Sequence, residues 1–263
     1  MVFGRARTNR LRGLKNCTPP MSQTAGSRTD GRRPEQLRPF SVTWNPMGFA
    51  LSSLVVHTGR TAVLCSVCLE DKVPRWRKGE GLGWVSAEYR LLPGSTPQRQ
   101  SRELMKLSGR TQEIQRLIGR SMRAALDLAK IGPRTVWIDC DVLQADGGTR
   151  TASITGGYVA LSLALANLKA DGLLEVDPIV SPVAAVSVGV VNDVPILDLP
   201  YVEDVAAEVD MNLVMNAKGE FIELQGTGEK DTFSDAELAS MLAHGRKGIN
   251  KLLELQKAAI SAG

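Results

Sequence analysis

The chain has 263 residues, of which 43% are hydrophobic and 23% charged, with a formal net charge of +4. That is long enough for one large domain or two small ones with a real core. Four cysteines are too few for a disulfide framework, and no uninterrupted apolar run is long enough to span a bilayer, so the expected setting is the cytoplasm.

The small net charge hides an asymmetry. Residues 1–138 hold 24 of the 32 Lys and Arg and 9 of the 28 Asp and Glu, a net of +15, whereas residues 139–263 carry a net of −11. A basic half joined to an acidic half suits a polyanion held by the first and a cation such as Mg²⁺ near the second. It suits equally two surfaces that pair within or between subunits.

Residues 1–20 contain five basic residues and no acid, the composition of a transit peptide or of an arm preceding a start at Met21. Residues 1–27 are read as a basic, disordered arm. Residues 21–40 stay polar, with Arg28, Arg32, Arg33 and Arg38 among Gly, Ser and Pro, so organised structure is expected from Phe40. Val42–Trp44, Leu51–His57 and Thr61–Leu69 predict strands, with a hairpin turn at Gly59-Arg60. Cys65 and Cys68 form a CxxC pattern. On a strand, side chains three apart point to opposite faces and cannot share a metal, so both are expected in the core. With His57 and His244 the only histidines, a zinc site or a Ser-His-Asp triad has little to build on.

Residues 71–108 show little periodicity and are expected to be irregular. Arg110–Lys130 predicts an amphipathic helix with Ile114, Leu117, Ile118 and Met122 on one face, stopped by Gly132-Pro133. Val136, Ile138, Cys140 and Val142 alternate with Trp137, Asp139 and Asp141 as a strand, and Ser153–Leu168 predicts the next helix. Two hairpins follow, Ala184–Val191 with Val194–Leu199 and Leu213–Met215 with Phe221–Gln225. Ser234 and Glu237 fit a capping box that opens a helix to about Ala259. The order βββ-α-β-α, then ββ-ββ-α, predicts an α+β fold with mixed sheets, in halves 28–172 and 173–263.

Three constellations carry chemistry. Gly147 and Gly148 end the strand and Thr149-Arg150 opens the helix. Glycines let backbone N–H groups approach a ligand, a helix start favours an anion, and a guanidinium matches phosphate. A tight turn with a solvated Arg150 fits as well. Arg110 at the start of the other helix opposes the macrodipole unless an anion is present, or it reaches Glu113. In the loop, Arg75, Arg77 and Lys78 surround Trp76, and Trp84, Tyr89, Arg90, Arg99 and Arg102 follow. Cations interleaved with aromatics suit single-stranded nucleic acid, as they suit a basic surface over buried tryptophans. Asp204 and Asp210, six apart in an acidic cluster, share a face if the strand is continuous and can then bind Mg²⁺; a solvated acidic turn is the alternative.

At these residues a resemblance emerges. GWVSAEYRLLPGST (83–96), GRTQEIQRLIGRSMRAALDL (109–128), DCDVLQADGGTRTASITGGYVAL (139–161) and DLPYVEDVAAEVDMNLVM (198–215) closely resemble the ribonuclease PH family. These enzymes are phosphate-dependent 3′→5′ exoribonucleases that trim tRNA precursors, and the similarity covers about residues 28–258. It implies two α+β halves related to the second domain of ribosomal protein S5, and a ring-shaped homo-hexamer built as a trimer of dimers. Arg110, Gly148, Thr149 and Arg150 would hold inorganic phosphate, with Arg150 also catalytic. Asp204 and Asp210 would hold Mg²⁺ and act catalytically, Asp210 assisting proton transfer. Arg99 and Arg102 match arginines that contact RNA, with Arg90 and Arg75 as further candidates. Two positions depart from the family: Gly94 stands where an arginine is common, and Arg77 where an apolar residue is. The implied reaction is reversible phosphorolysis, which needs no covalent intermediate. Its competitors are a catalytically silent ring subunit and an exonuclease that uses water.

Overall fold

The computed structural model describes residues 28–104 and 106–263. The expected arm over 1–27, with Cys17, lies outside the described residues. Two sheets form. The first has β1 (Phe40–Trp44), β2 (Ser52–Thr58), β3 (Thr61–Glu70), β4 (Trp84–Leu91) and β5 (Thr135–Gln144) in the order β1-β2-β3-β5-β4. Its strands are antiparallel except for β4 and β5, which run parallel and are joined through α1 (Gly109–Ala124). The second is antiparallel, with β6 (Val183–Val191), β7 (Val194–Leu197), β8 (Val209–Asn216) and β9 (Phe221–Gly228) in the order β7-β6-β8-β9. The α+β class is as expected.

The helix α2 (Thr149–Ala170) lies between the sheets, packing on β2 and β3 of one and β6 of the other. Ile154, Val159, Ala160, Leu161 and Ala164 are fully buried. Each large apolar side chain so buried contributes about 1.5–3 kcal/mol. This helix is long and apolar enough to cross a membrane by length and composition, but 83% of its most apolar window is buried inside the protein. A helix apolar all round belongs in a core when sheets cover it on two sides. One hydrophobic cluster joins both sheets, since Val183, Ala185 and Val214 pack with Leu54, Ile138 and Ile154. The last helix, α4 (Asp235–Ile260), starts at Ser234 with the expected capping box and closes a second cluster with Val188, Leu213 and Ile249.

Several expectations need correction. The stretch 71–108 is not irregular throughout, because β4 runs through it beside β5, with Val85, Ala87 and Tyr89 buried and Ser86, Glu88 and Arg90 on the other face. The helix after Arg110 ends at Ala124 rather than Lys130, since Leu126 leaves it to bridge to Ile179 and a 3₁₀ turn at Leu128–Ile131 follows. The helix begins at Thr149, directly after the glycine pair as the turn implied and four residues ahead of the periodic span Ser153–Leu168. Cys65 is buried as expected but Cys68 is exposed, on the opposite face of β3. Structure also precedes Phe40: Arg28, Arg32 and Arg38 are buried at 5%, 9% and 5% exposure.

Candidate active site

Gly147 and Gly148 turn the chain from β5 into α2 with φ of 74° and 63°. Left-handed backbone costs other residues roughly 1–2 kcal/mol. A Cβ at Gly147 would also lie 2.8 Å from the Tyr201 nitrogen, so this turn is backed directly against the segment entering α3 (Tyr201–Ala206). Gly148 caps α2 without a side chain, which leaves the first N–H groups of the helix for a ligand.

The turn is fixed from behind. Arg38 donates to the carbonyls of Asp146 (2.6 Å) and Gly147 (3.4 Å), and the Thr61 hydroxyl donates to the Gly147 carbonyl at 2.7 Å. Arg38 also pairs with Asp198 at 2.7 Å. Burial pushes the Asp198 carboxyl up, but the charges and hydrogen bonds of Arg38 outweigh it and hold the group below the usual carboxylate range. Arg28 donates to Glu203 at 2.6 Å and to the Leu197 carbonyl at 2.6 Å. The residues read as a polar lead-in therefore clasp the glycine turn and the start of α3 together.

In front of the turn opens a cleft of about 650 Å³, lined by Arg110, Gly147, Gly148, Thr149, Arg150, Asp204 and Asp210 among others. The two arginines and two aspartates singled out in the sequence thus border one space. The expected route to the aspartates is wrong, however. They do not share a continuous strand: Pro200 starts the six-residue helix α3, which carries Asp204, while Asp210 lies on β8. Both carboxyls are pushed up, Asp204 by burial with Arg110 and Arg150 opposing, and Asp210 by burial and by Asp204 to about 6. The Oδ1 atom of Asp210 is buried without a hydrogen-bond partner among the described residues.

Thr149 receives a partner absent from the sequence reading. The buried Tyr89 hydroxyl lies 2.8 Å from its Oγ1, and burial pushes the phenol up. Arg150 donates to Gln225 Oε1 at 3.0 Å and lies 3.5 Å from Glu113, which Gln225 also contacts at 3.0 Å. Glu113, one of the two alternatives for what Arg110 meets, thus pairs with Arg150 instead. Arg110 has no ion pair among the described residues and faces the cleft.

The four candidate RNA arginines do not line the cleft; Thr96, Pro97, Gln98 and Gln100 of the same loop do. Arg75, Arg99 and Arg102 are exposed, and Arg90 is half-buried, donating to the Tyr89 carbonyl at 2.9 Å. The tryptophans are not a buried base for that loop. Trp76 is 60% exposed and meets Trp84 edge-on at 4.6 Å, with Arg77 5.3 Å and Arg123 4.3 Å from the Trp84 ring.

Among the described residues no three His, Cys, Asp or Glu converge as a metal cage. Two carboxylates, one with an orphaned oxygen, nonetheless fit Mg²⁺. That ion takes oxygen ligands and is usually held by one or two carboxylates alongside a substrate phosphate.

Sequence reasoning put Tyr89 with the nucleic-acid loop and Arg38 with the polar lead-in, and missed Asp198, Asn212 and Gln225. Asn212 alone carried a signal: a polar residue at even spacing from Asp210 in an otherwise apolar strand.

Two family models match the chain, domain 1 of the 3′ exoribonuclease family over residues 36–167 and domain 2 over residues 181–248. A ribonuclease PH of Synechococcus sp. (strain CC9605) is 67% identical over 241 residues, 92% of this chain and 98% of that protein. One from Prochlorococcus marinus (strain MIT 9313) is 59% identical over 89% of this chain and 96% of the relative. Among solved structures, rice Rrp46 shares the fold with a TM-score of 0.72 at 22% identity, covering 89% of this chain and 100% of the other. An Archaeoglobus fulgidus exosome with RNA bound to the active site has a TM-score of 0.74 at 20% identity, covering 87% and 92%.

Proposed function

The chain belongs to the 3′ exoribonuclease family, in its ribonuclease PH group, and from that premise we propose how its cleft works. It is a phosphorolytic 3′→5′ exoribonuclease that shortens tRNA precursors and other RNAs, releasing nucleoside 5′-diphosphates. The observation that carries this reading is one cleft holding an anion-binding helix start, two arginines and two carboxylates with raised pKa values.

Inorganic phosphate rests on the N–H groups after Gly148, with Thr149, Arg110 and Arg150 around it. One of its oxygens attacks the phosphorus of the last phosphodiester, and the bond to the 3′ oxygen of the penultimate nucleotide breaks. The arginines reduce repulsion between two anions, which is the main obstacle to their meeting. Asp204 and Asp210 would hold Mg²⁺, which when bound neutralises charge on the transferring phosphorus. Asp210, ionised where it holds the metal, would assist the transfer of a proton from the attacking hydrogen phosphate to the departing 3′ oxygen. The reverse reaction extends RNA from a diphosphate.

Arg99, Arg102 and Arg90, in or next to the loop whose Thr96–Gln98 and Gln100 line the cleft, would guide the RNA backbone, and Arg75, beside Trp76 at the far end of β4, would extend that path. The homo-hexamer, a trimer of dimers, draws support from the exosome-like neighbours and from exposed apolar side chains such as Val202 and Val205, each 57% exposed. The division into 28–172 and 173–263 fits one sheet in each part. The proposed setting is the cytoplasm, in keeping with only four cysteines in 263 residues.

The test incubates the protein with a short 3′-tailed RNA with and without phosphate. Diphosphates should form only with phosphate; monophosphates released without it would overturn the proposal. Arg150→Ala should lower phosphate-dependent release by roughly a hundredfold or more while circular dichroism stays native.

A further inference from the structure

Ser187, Asn212 and Gln225 stand opposite one another across β6, β8 and β9, making a polar row on the sheet below the cleft. The ends of this row have partners. Ser187 Oγ accepts the Leu199 N–H at 3.1 Å, in the segment that backs the glycine turn. Gln225 holds Arg150 at 3.0 Å. Asn212, between them, is 8% exposed as a whole residue and lines the cleft, and its side-chain amide is open to that space with no hydrogen-bond partner among the described residues. An amide open to the cleft and free of protein partners is available to hydrogen-bond a bound ligand.

We infer that Asn212 is the floor of the phosphate seat, donating an amide N–H to an oxygen of inorganic phosphate. The inference rests on the phosphorolytic reading and adds to it a hydrogen bond from the second sheet. The position argues for phosphate over the RNA ribose, because the row connects the two elements that make the anion seat: the glycine turn through Ser187 and Leu199, and Arg150 through Gln225. The residue type agrees as well. A third carboxylate beside Asp204 and Asp210 would repel the anion, whereas a neutral amide attracts one of its oxygens.

Asn212→Ala and the isosteric Asn212→Asp are tested by steady-state phosphorolysis, with the KM for phosphate and for RNA measured separately. Phosphate binding to RNA-free protein is followed by calorimetry. A hydrogen bond to a charged group corresponds to about a tenfold or greater change. The alanine variant should therefore raise the phosphate KM about tenfold, the aspartate variant more, with RNA affinity by gel shift unaltered. A folded variant with unchanged phosphate KM, or with a rise confined to RNA, would overturn the inference. If Asn212→Ala does not fold, the aspartate variant and Ser187→Ala decide by the same measurements. Asn212-dependent phosphate binding without diphosphate release would sink phosphorolysis and leave the seat standing; normal release with Asn212-independent binding would do the reverse.

Discussion

Asp210 combines an apparent liability with the chemistry the cleft needs. Its carboxyl is pushed up to about 6, so the folded protein binds a proton there more tightly than the unfolded chain does. This group therefore favours the fold most at low pH, and that contribution is lost as pH rises from the ordinary carboxylate value of 3.8 through about 6. At neutral pH the ionised group is a cost. Asp210→Asn should raise stability at pH 7 by about 1–3 kcal/mol, read from urea unfolding, while removing most activity. A variant less stable than the parent would contradict that account. Mg²⁺ affinity in the parent should fall as pH drops below about 6, where the carboxyl takes up its proton. Titrations across that range would show it, and the Asn variant should flatten the curve.

At the scale of elements, the site depends on α3 sitting against the glycine turn. Glu203 on α3 is 3% exposed and paired with Arg28, itself 3% exposed at the side chain. Removing one member of such a pair leaves a buried charge unmatched, so Glu203→Gln should destabilise by about 3–5 kcal/mol in denaturant melts. The companion change of Arg28 to Met should recover part of that. Sequence reading could reach the glycine turn, β1 to β3, β5 and the capped α4, because each has a local signature in turn residues, alternation or caps. It could not reach α3, whose six residues are too few for a helical period. It missed β4 although Val85, Ala87 and Tyr89 alternate with Ser86, Glu88 and Arg90, because the basic residues and glycines before it made the whole stretch read as a loop. Arg28, Arg32 and Arg38 looked like a solvated lead-in because the acids that hold Arg28 and Arg38 lie 175 and 160 residues further along the chain.

For the molecule as a whole, charge divides along the chain as the composition suggested, but the cleft brings the two parts together. Arg110 and Arg150 come from the basic and acidic stretches, and both face Asp204 and Asp210. RNA affinity should fall steeply with salt as bound phosphates release their counterions. Reversing Arg99 or Arg102 to Glu should weaken binding of all sequences alike. Either change should also lower the slope of log affinity against log salt by about one for each RNA phosphate left without its cation. A slope unchanged in both variants would remove these arginines from the RNA path.

The arginine clasp also bears on when, during synthesis, a working enzyme first exists. Arg28 leaves the ribosome early, but the carboxylate that receives it is 175 positions later, and the one that anchors Arg38 is 160 later. A nascent polypeptide can build the first sheet well before either acid has been translated, and until then the anion turn lacks its brace. Growing chains should therefore stay inert toward transcripts until nearly the entire protein has emerged.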